Sequence, residues 1–177
     1  TQNPIVTIGN GVVSGLIRDA NNGQRLSGVK VTAGSQEVTT DNNGEFIISN
    51  LGNSDYVVSV EKSDYAPGYS NITISDNSET ILLSLKQEGE KKDYNASTEA
   101  TLSEKAVNGP YAVTFEADSL DTTDTNLKVS VTPLDPTVEA DALPGQLETD
   151  TAMLVPLTFA EFSIFDTAGN KVNLKAG

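Results

Sequence analysis

Apolar residues in this chain do not recur at the three-to-four spacing of a helix. They alternate with polar ones in short runs, and each run stops at a cluster of turn formers. "VSGLIRDA", Val13–Ala20, predicts a strand that ends at Asp19-Ala-Asn-Asn-Gly23; "SGVKVTAG" then sets Val29, Val31 and Ala33 on one face of a second strand. A hairpin is the expected connection between the two. "QEVTTD" leads into another tight turn, Asp41-Asn-Asn-Gly44, before "EFIIS", and "DYVVSVEK", "NITISD" and "ETILLSLKQ" carry the alternation to Gln87. β-Branched residues are frequent, and the turns recur at about the 8–12 residue spacing of a sandwich or barrel. The expected fold class is all-β.

The alternation lapses over residues 88–100, "EGEKKDYNASTEA", which are polar and charged apart from Tyr94 and predict a linker. Extended patterns resume in "YAVTFEADSL", "TNLKVSVTPLD", "TAMLVPLTFAEFSIFD" and "NKVNLKAG", with Asp166-Thr-Ala-Gly169 as a hairpin turn. The predicted organisation is an N-terminal segment 1–7, a β domain at 8–87, the linker, and an acidic β domain at 101–177. Pro133, Pro136, Pro144 and Pro156 punctuate the last of these and favour edge strands and irregular connections there.

Composition narrows the chemistry. Hydrophobic residues make up 37% of the 177 and aromatic ones 6%, enough for two small cores. The formal charge is −14. Residues 1–87 hold 5 Lys and Arg against 9 Asp and Glu, and residues 88–177 hold 6 against 16, so the acidity lies mostly in the second half. Such a surface argues against a nucleic-acid partner, because phosphate contacts need clustered Lys and Arg. Without His or Cys the chain has no thiolate nucleophile, no His general base, no Cys/His zinc site and no disulfide framework. Lack of Cys does not by itself imply the cytosol. No apolar run approaches the ~18 residues of a membrane helix, so no membrane insertion is expected of this segment. "TQNPIVTIGNG" lacks the basic and apolar regions of a signal peptide, which places any export signal outside this sequence.

The run "SGLIRDANNGQRLSGVKVTAGSQEVTTDNNGEFIISNLGNSDYVVSVEKSDYAPGY" resembles a carboxypeptidase regulatory-like domain, the transthyretin-like (prealbumin-like) seven-stranded β-sandwich. The elements that carry the resemblance are Gly15, the Asp19–Gly23 turn, Leu26-Ser-Gly-Val-Lys-Val31, Thr40-Asp41 with Gly44 and Phe46, Leu51, Tyr56-Val-Val-Ser-Val60 and Tyr65. Gly28 and Gly44 suit tight turns, and Phe46 and Leu51 are expected to point inward. The second half, through "VTFEADSL", "KVSVTPLDPT", "LPGQLE" and "FAEFSIFDTAGNKVNLKAG", is similar to a module found beside such domains in bacterial extracellular proteins and in cartilage intermediate layer proteins. In those relatives the module continues past the equivalent of "NLKAG", which implies that the second β domain here is partial. The resemblance implies a non-catalytic accessory role, as a structural spacer and interaction module of a larger, secreted or cell-surface, bacterial protein. The zinc peptidase that gives the family its name needs His ligands, so its activity is not implied. Related collagen-adhesin repeats lock themselves with a Lys isopeptide bond; Arg18 stands near that Lys position, and no such bond is expected in the first domain.

Few residues nominate themselves as a site. Asp41-Asn-Asn-Gly44-Glu45 has some of the ligands of a calcium loop but not its spacing, and a plain turn accounts for it. "DSLDTTDTN" puts Asp118, Asp121 and Asp124 in one loop, where a calcium ion would relieve their repulsion. Solvated loop charges are the alternative there, and no cofactor is otherwise expected. Tyr56, Tyr65, Tyr69, Tyr94, Phe159 and Phe162 could stack a glycan, but core and edge packing is the expected role of the set; Tyr65 and Tyr69, which flank "APG" on an expected exposed loop, are the candidates among them for a ligand. A carbohydrate- or calcium-dependent adhesin, with a glycan or protein partner, is therefore the rival of the spacer reading. No paired carboxylates can be placed in a cleft from the sequence, and no enzyme is expected.

Overall fold

The computed structural model describes residues 9–75, 77–106, 109–134 and 159–175. The N-terminal segment 1–7, the "LPGQLE" stretch and Pro136, Pro144 and Pro156 lie outside the described residues, as does the side chain of Phe159. All the described elements are strands, and they divide into two compact units, the first reaching Gln87 and the second starting at Glu88.

The first unit has seven strands: β1 (Gly11–Asp19), β2 (Lys30–Ala33), β3 (Gln36–Thr39), β4 (Glu45–Leu51), β5 (Ser54–Glu61), β6 (Gly68–Ile74) and β7 (Ser78–Leu85). They form an antiparallel sheet in the order β3-β2-β5-β6 and a three-stranded sheet β4-β1-β7, in which β1 runs antiparallel to β4 and parallel to β7. The expected hairpin between the first two runs does not form. β1 and β2 lie in different sheets: the Asp19–Gly23 turn, closed by the Gly23 N–H on the Asp19 carbonyl at 2.8 Å, folds residues 24–26 back along β1, with Arg25 bridged to Arg18, before the chain passes to β2 in the other sheet. Burial explains this choice. Ile17 and Val31 are both fully buried, and strands from two sheets let both rows of side chains face each other.

Strict alternation fills that interior. Val13 and Ile17 of β1, Val31 and Ala33 of β2, Phe46 and Ile48 of β4, Val58 and Val60 of β5, Ile72 and Ile74 of β6, and Leu83 and Leu85 of β7 are all buried in one cluster with Val29 and Leu51. Each buried aliphatic side chain contributes about 1.5–3 kcal/mol, so this row of contacts is what makes the sandwich stable. At the second turn the Asp41 carboxylate accepts from the N–H groups of Asn43 and Glu45, and Gly44 sits at φ 72° with its Cβ position 2.7 Å from the Ile17 carbonyl oxygen. Only glycine meets both demands. Asp41 is thus a turn residue, as its Asx pattern predicted.

The second unit contains β8 (Lys91–Asn95), β9 (Ala100–Ala106), β10 (Gly109–Phe115), β11 (Asn126–Leu134) and β12 (Phe159–Phe165). β9 and β10 pair antiparallel, and β11 is the middle strand of a sheet ordered β12-β11-β8. The reading of 88–100 as a linker is overturned. Residues 91–95 pair with 126–130, and Tyr94 is 5% exposed, packed against Phe115 with ring centroids 5.5 Å apart. One buried aromatic is enough to anchor a strand whose other residues are charged or polar because it lies at the edge of the described sheet, where lysines also discourage further pairing. Pro133 is a second correction. It stands in the middle strand and not at an edge, which is possible because β8 pairs only as far as Ser130, leaving β11 with one neighbour at Pro133 among the described residues.

β11 departs from the sequence pattern in another way. Leu127, Val129 and Val131 face the core formed with Tyr94, Phe115, Leu120 and Ile164, yet Ser130 and Thr132 on the opposite face are also buried, as is Ser163 beside them. The chain at Gly89 lies over that polar face: Ser130 Oγ donates to the Gly89 carbonyl at 2.8 Å, and the Gly89 N–H donates to Thr132 Oγ1 at 3.0 Å.

Candidate functional site

Asp19 is the best-connected polar side chain of the first unit. It ends β1 with 2% of its surface exposed; Oδ1 accepts from the Asn21 N–H at 2.7 Å, and Oδ2 accepts from the Tyr65 hydroxyl at 2.8 Å and from Gln87 Nε2 at 2.9 Å. Burial pushes its pKa up, but the Asn21 N–H, Tyr65, Gln87 and the Asn22 N–H together outweigh that and hold the carboxyl below its usual value. Tyr65 is shifted the other way, upward, first by its own burial, with the Asp19 carboxylate adding to it. A backbone bridge between Tyr65 and Gln87 completes the cluster. These bonds tie the end of β1, the loop before β6 and the chain leaving β7.

The two aromatic candidates therefore have different fates. Tyr65 is half-buried with its hydroxyl committed to Asp19, and Tyr69 lies within β6, paired across to Ser59, and not on a loop.

The acidic candidates are separated as well. Asp118 is exposed at φ 57°, and its carbonyl accepts from Lys175 Nζ at 2.6 Å. The Asp121 N–H donates to the Asn173 carbonyl, while Asp124 Oδ2 accepts from the hydroxyl of Thr167 at 2.9 Å and from its N–H at 3.3 Å. The loop is fastened to the segment after β12 by these bonds. Among the described residues no three acidic side chains converge as a cation site requires. Asp166 is likewise a turn residue, accepting from both the N–H and Nδ2 of Asn170, and these bonds hold its carboxyl below its usual pKa.

An apolar opening is the feature that sequence reading missed. The outer face of β4-β1-β7 carries Leu16, Ile47 and Leu82, with Ile47 63% and Leu82 50% exposed, around a shallow trough of about 630 Å³. Ser14 and Thr80 lie between them, and Asp41 and Glu45 stand at its rim, the latter paired with Arg25 at 3.2 Å. The signal was present in "EFIIS" and "ETILLSLKQ", where consecutive apolar residues must place one side chain on the outer face.

Chemically the first unit offers a closed scaffold with one greasy face. Its seven strands in two sheets, with the first and last strands adjacent, define a transthyretin-like β-sandwich. Residues 12–86 match the carboxypeptidase regulatory-like domain. A search of the curated proteins finds no match. Among solved structures the chain is similar to a type II cohesin–X-dockerin complex from Acetivibrio cellulolyticus, at 20% identity over 41% of this chain and 52% of that one, with a TM-score of 0.36. A protein from Bacteroides fragilis described as membrane-associated matches at 27% identity over 45% of this chain and 28% of its own, also with a TM-score of 0.36. One from Bacteroides uniformis described as carbohydrate-binding matches at 12% identity over 91% and 81%, with the same TM-score.

Proposed function

We propose that this chain is a non-catalytic structural spacer and interaction module of a larger extracellular or cell-surface protein. The observation that carries the reading is the use to which its reactive side chains are put. Asp19 and Tyr65, the most strongly engaged acid and phenol of the sandwich, are bonded to each other and to Gln87, and Asp41, Asp124 and Asp166 each brace a turn or loop. Side chains spent in this way position backbone and are not themselves free for acid–base work. The match of residues 12–86 to a carboxypeptidase regulatory-like domain supports the same conclusion. The exposed Ile47 and Leu82 suit a protein neighbour better than a glycan, since a sugar would look for aromatic faces.

The test is a thermal melt of the whole chain in chelator, in millimolar calcium and with a glycan panel. A spacer keeps one melting temperature throughout. A rise of several degrees with calcium or any glycan would replace this reading with a ligand-dependent adhesin, because a ligand that binds the folded state stabilises it.

A further inference from the structure

Glu88 opens the second unit, and its side chain is only 2% exposed. Neither carboxylate oxygen accepts a hydrogen bond. What faces them is positive charge: Lys171 Nζ lies 3.5 Å from Oε1, and Lys91 Nζ lies 3.6 Å from Oε2. The ring of Phe165 holds Lys91 from another side, with its centroid 4.2 Å from Nζ. Glu161 of β12 is close enough for Glu88 and Lys171 both to act on its titration. A carboxylate taken out of water with no hydrogen bond is tolerated only where opposite charge is near, so the two lysines are the condition for Glu88 being buried at all.

The next residue tightens the arrangement. Gly89 bonds through both its N–H and its carbonyl to Thr132 and Ser130, and a Cβ there would stand 2.1 Å from the Val131 carbonyl oxygen, so only glycine lets the chain lie this close to β11.

We propose that Glu88, Lys91 and Lys171 form an electrostatic clasp that fixes the chain where it enters the second unit, held shut by charge and not by hydrogen bonds. It joins the start of the unit to the hairpin after β12, which supplies Lys171. The clasp does not depend on the spacer reading.

Hydrogen exchange on the whole chain tests it, using wild type, Glu88→Gln, Lys171→Gln and the double variant. In wild type the amides of Gly89 and Val172 should exchange slowly. Each single substitution should speed them by about tenfold or more, the double should add little to either, and amides of β1 and β7 should not change. If Glu88→Gln prevents the second unit from folding, Lys171→Gln decides alone, since that side chain is 55% exposed and its loss should not prevent folding. Free exchange at Gly89 in wild type, no response to Lys171→Gln, or single effects that multiply in the double would overturn the clasp. None of these outcomes bears on the calcium melts, so the two proposals fail separately.

Discussion

Replacing Asp19 by Asn is the sharpest probe of the sandwich. The substitution keeps the shape, and its Oδ1 can still accept from the Asn21 N–H, but an amide nitrogen now meets the Tyr65 hydroxyl and Gln87 Nε2, where a carboxylate oxygen had accepted from both at 2.8 and 2.9 Å. Hydrogen bonds to a charged group contribute about 1.5–3 kcal/mol each, and rotation of the Tyr65 hydroxyl and the Gln87 amide recovers part of two of them. The expected cost is about 2–3 kcal/mol for Asn and about 3–5 kcal/mol for Ala, which leaves both donors stranded. The pH dependence should change too. The folded carboxyl titrates below the usual 3.8, so on acidification the unfolded chain takes up the proton first. The stabilisation is therefore complete above 3.8 and lost as the pH falls through the folded value, and the variant should lack that part of the acid slope. Urea unfolding of the whole chain, followed through amide resonances of β1 and β7 between pH 7 and about 2, measures both quantities. A variant within about 0.5 kcal/mol of wild type with the same acid slope would show that the Asp19 cluster does not hold the sandwich closed.

Neighbouring leucines test the register of β7. Leu83→Ala should cost about 2–5 kcal/mol because it empties a site 1% exposed, whereas Leu82→Ser, on the outer face, should change stability by less than about 1 kcal/mol; equal costs in urea unfolding would contradict the alternation. Glu161 should show the opposite pH behaviour to Asp19. Burial raises its pKa above the usual 4.5, with Lys171 opposing and Glu88 reinforcing the shift, so the folded state holds the proton more tightly. Stability is then greatest below 4.5 and falls as the pH rises through the folded value, and Glu161→Gln should melt higher than wild type at pH 7 and lose that fall; a lower melting temperature would refute the assignment.

The sequence made the sandwich readable because its alternation is strict. Val29, Val31 and Ala33 are each fully buried where period two placed them, and Phe46 and Leu51 point inward. The turns were equally legible, since Asp41–Gly44 and Asp166–Gly169 bond through the side-chain patterns that make Asx residues turn formers. Pairing was not. Two runs separated by a turn can form a hairpin or cross between sheets, and only the opposing layer, invisible in local periodicity, selects the crossing of β1 and β2. The strand at 91–95 escaped notice because a charged strand with one anchor, Tyr94, has the composition of a linker. Asp19 and Glu88 escaped for a related reason: a single acid in a polar stretch reads as solvated, and its burial depends on partners far along the chain, Tyr65 for one and Lys171 for the other.

The parallel pairing of β1 with β7 has a mechanical consequence. Eight residue pairs, from Val12 with Ser78 to Asp19 with Leu85, run in the same direction, so the chain enters the sandwich at one end of this ladder and leaves at the other. At about 3.3 Å per residue the two points stand roughly 25 Å apart along the strands. Tension applied through the chain on either side then pulls the two strands lengthwise past each other and loads the rungs together, in shear, instead of peeling them open one at a time.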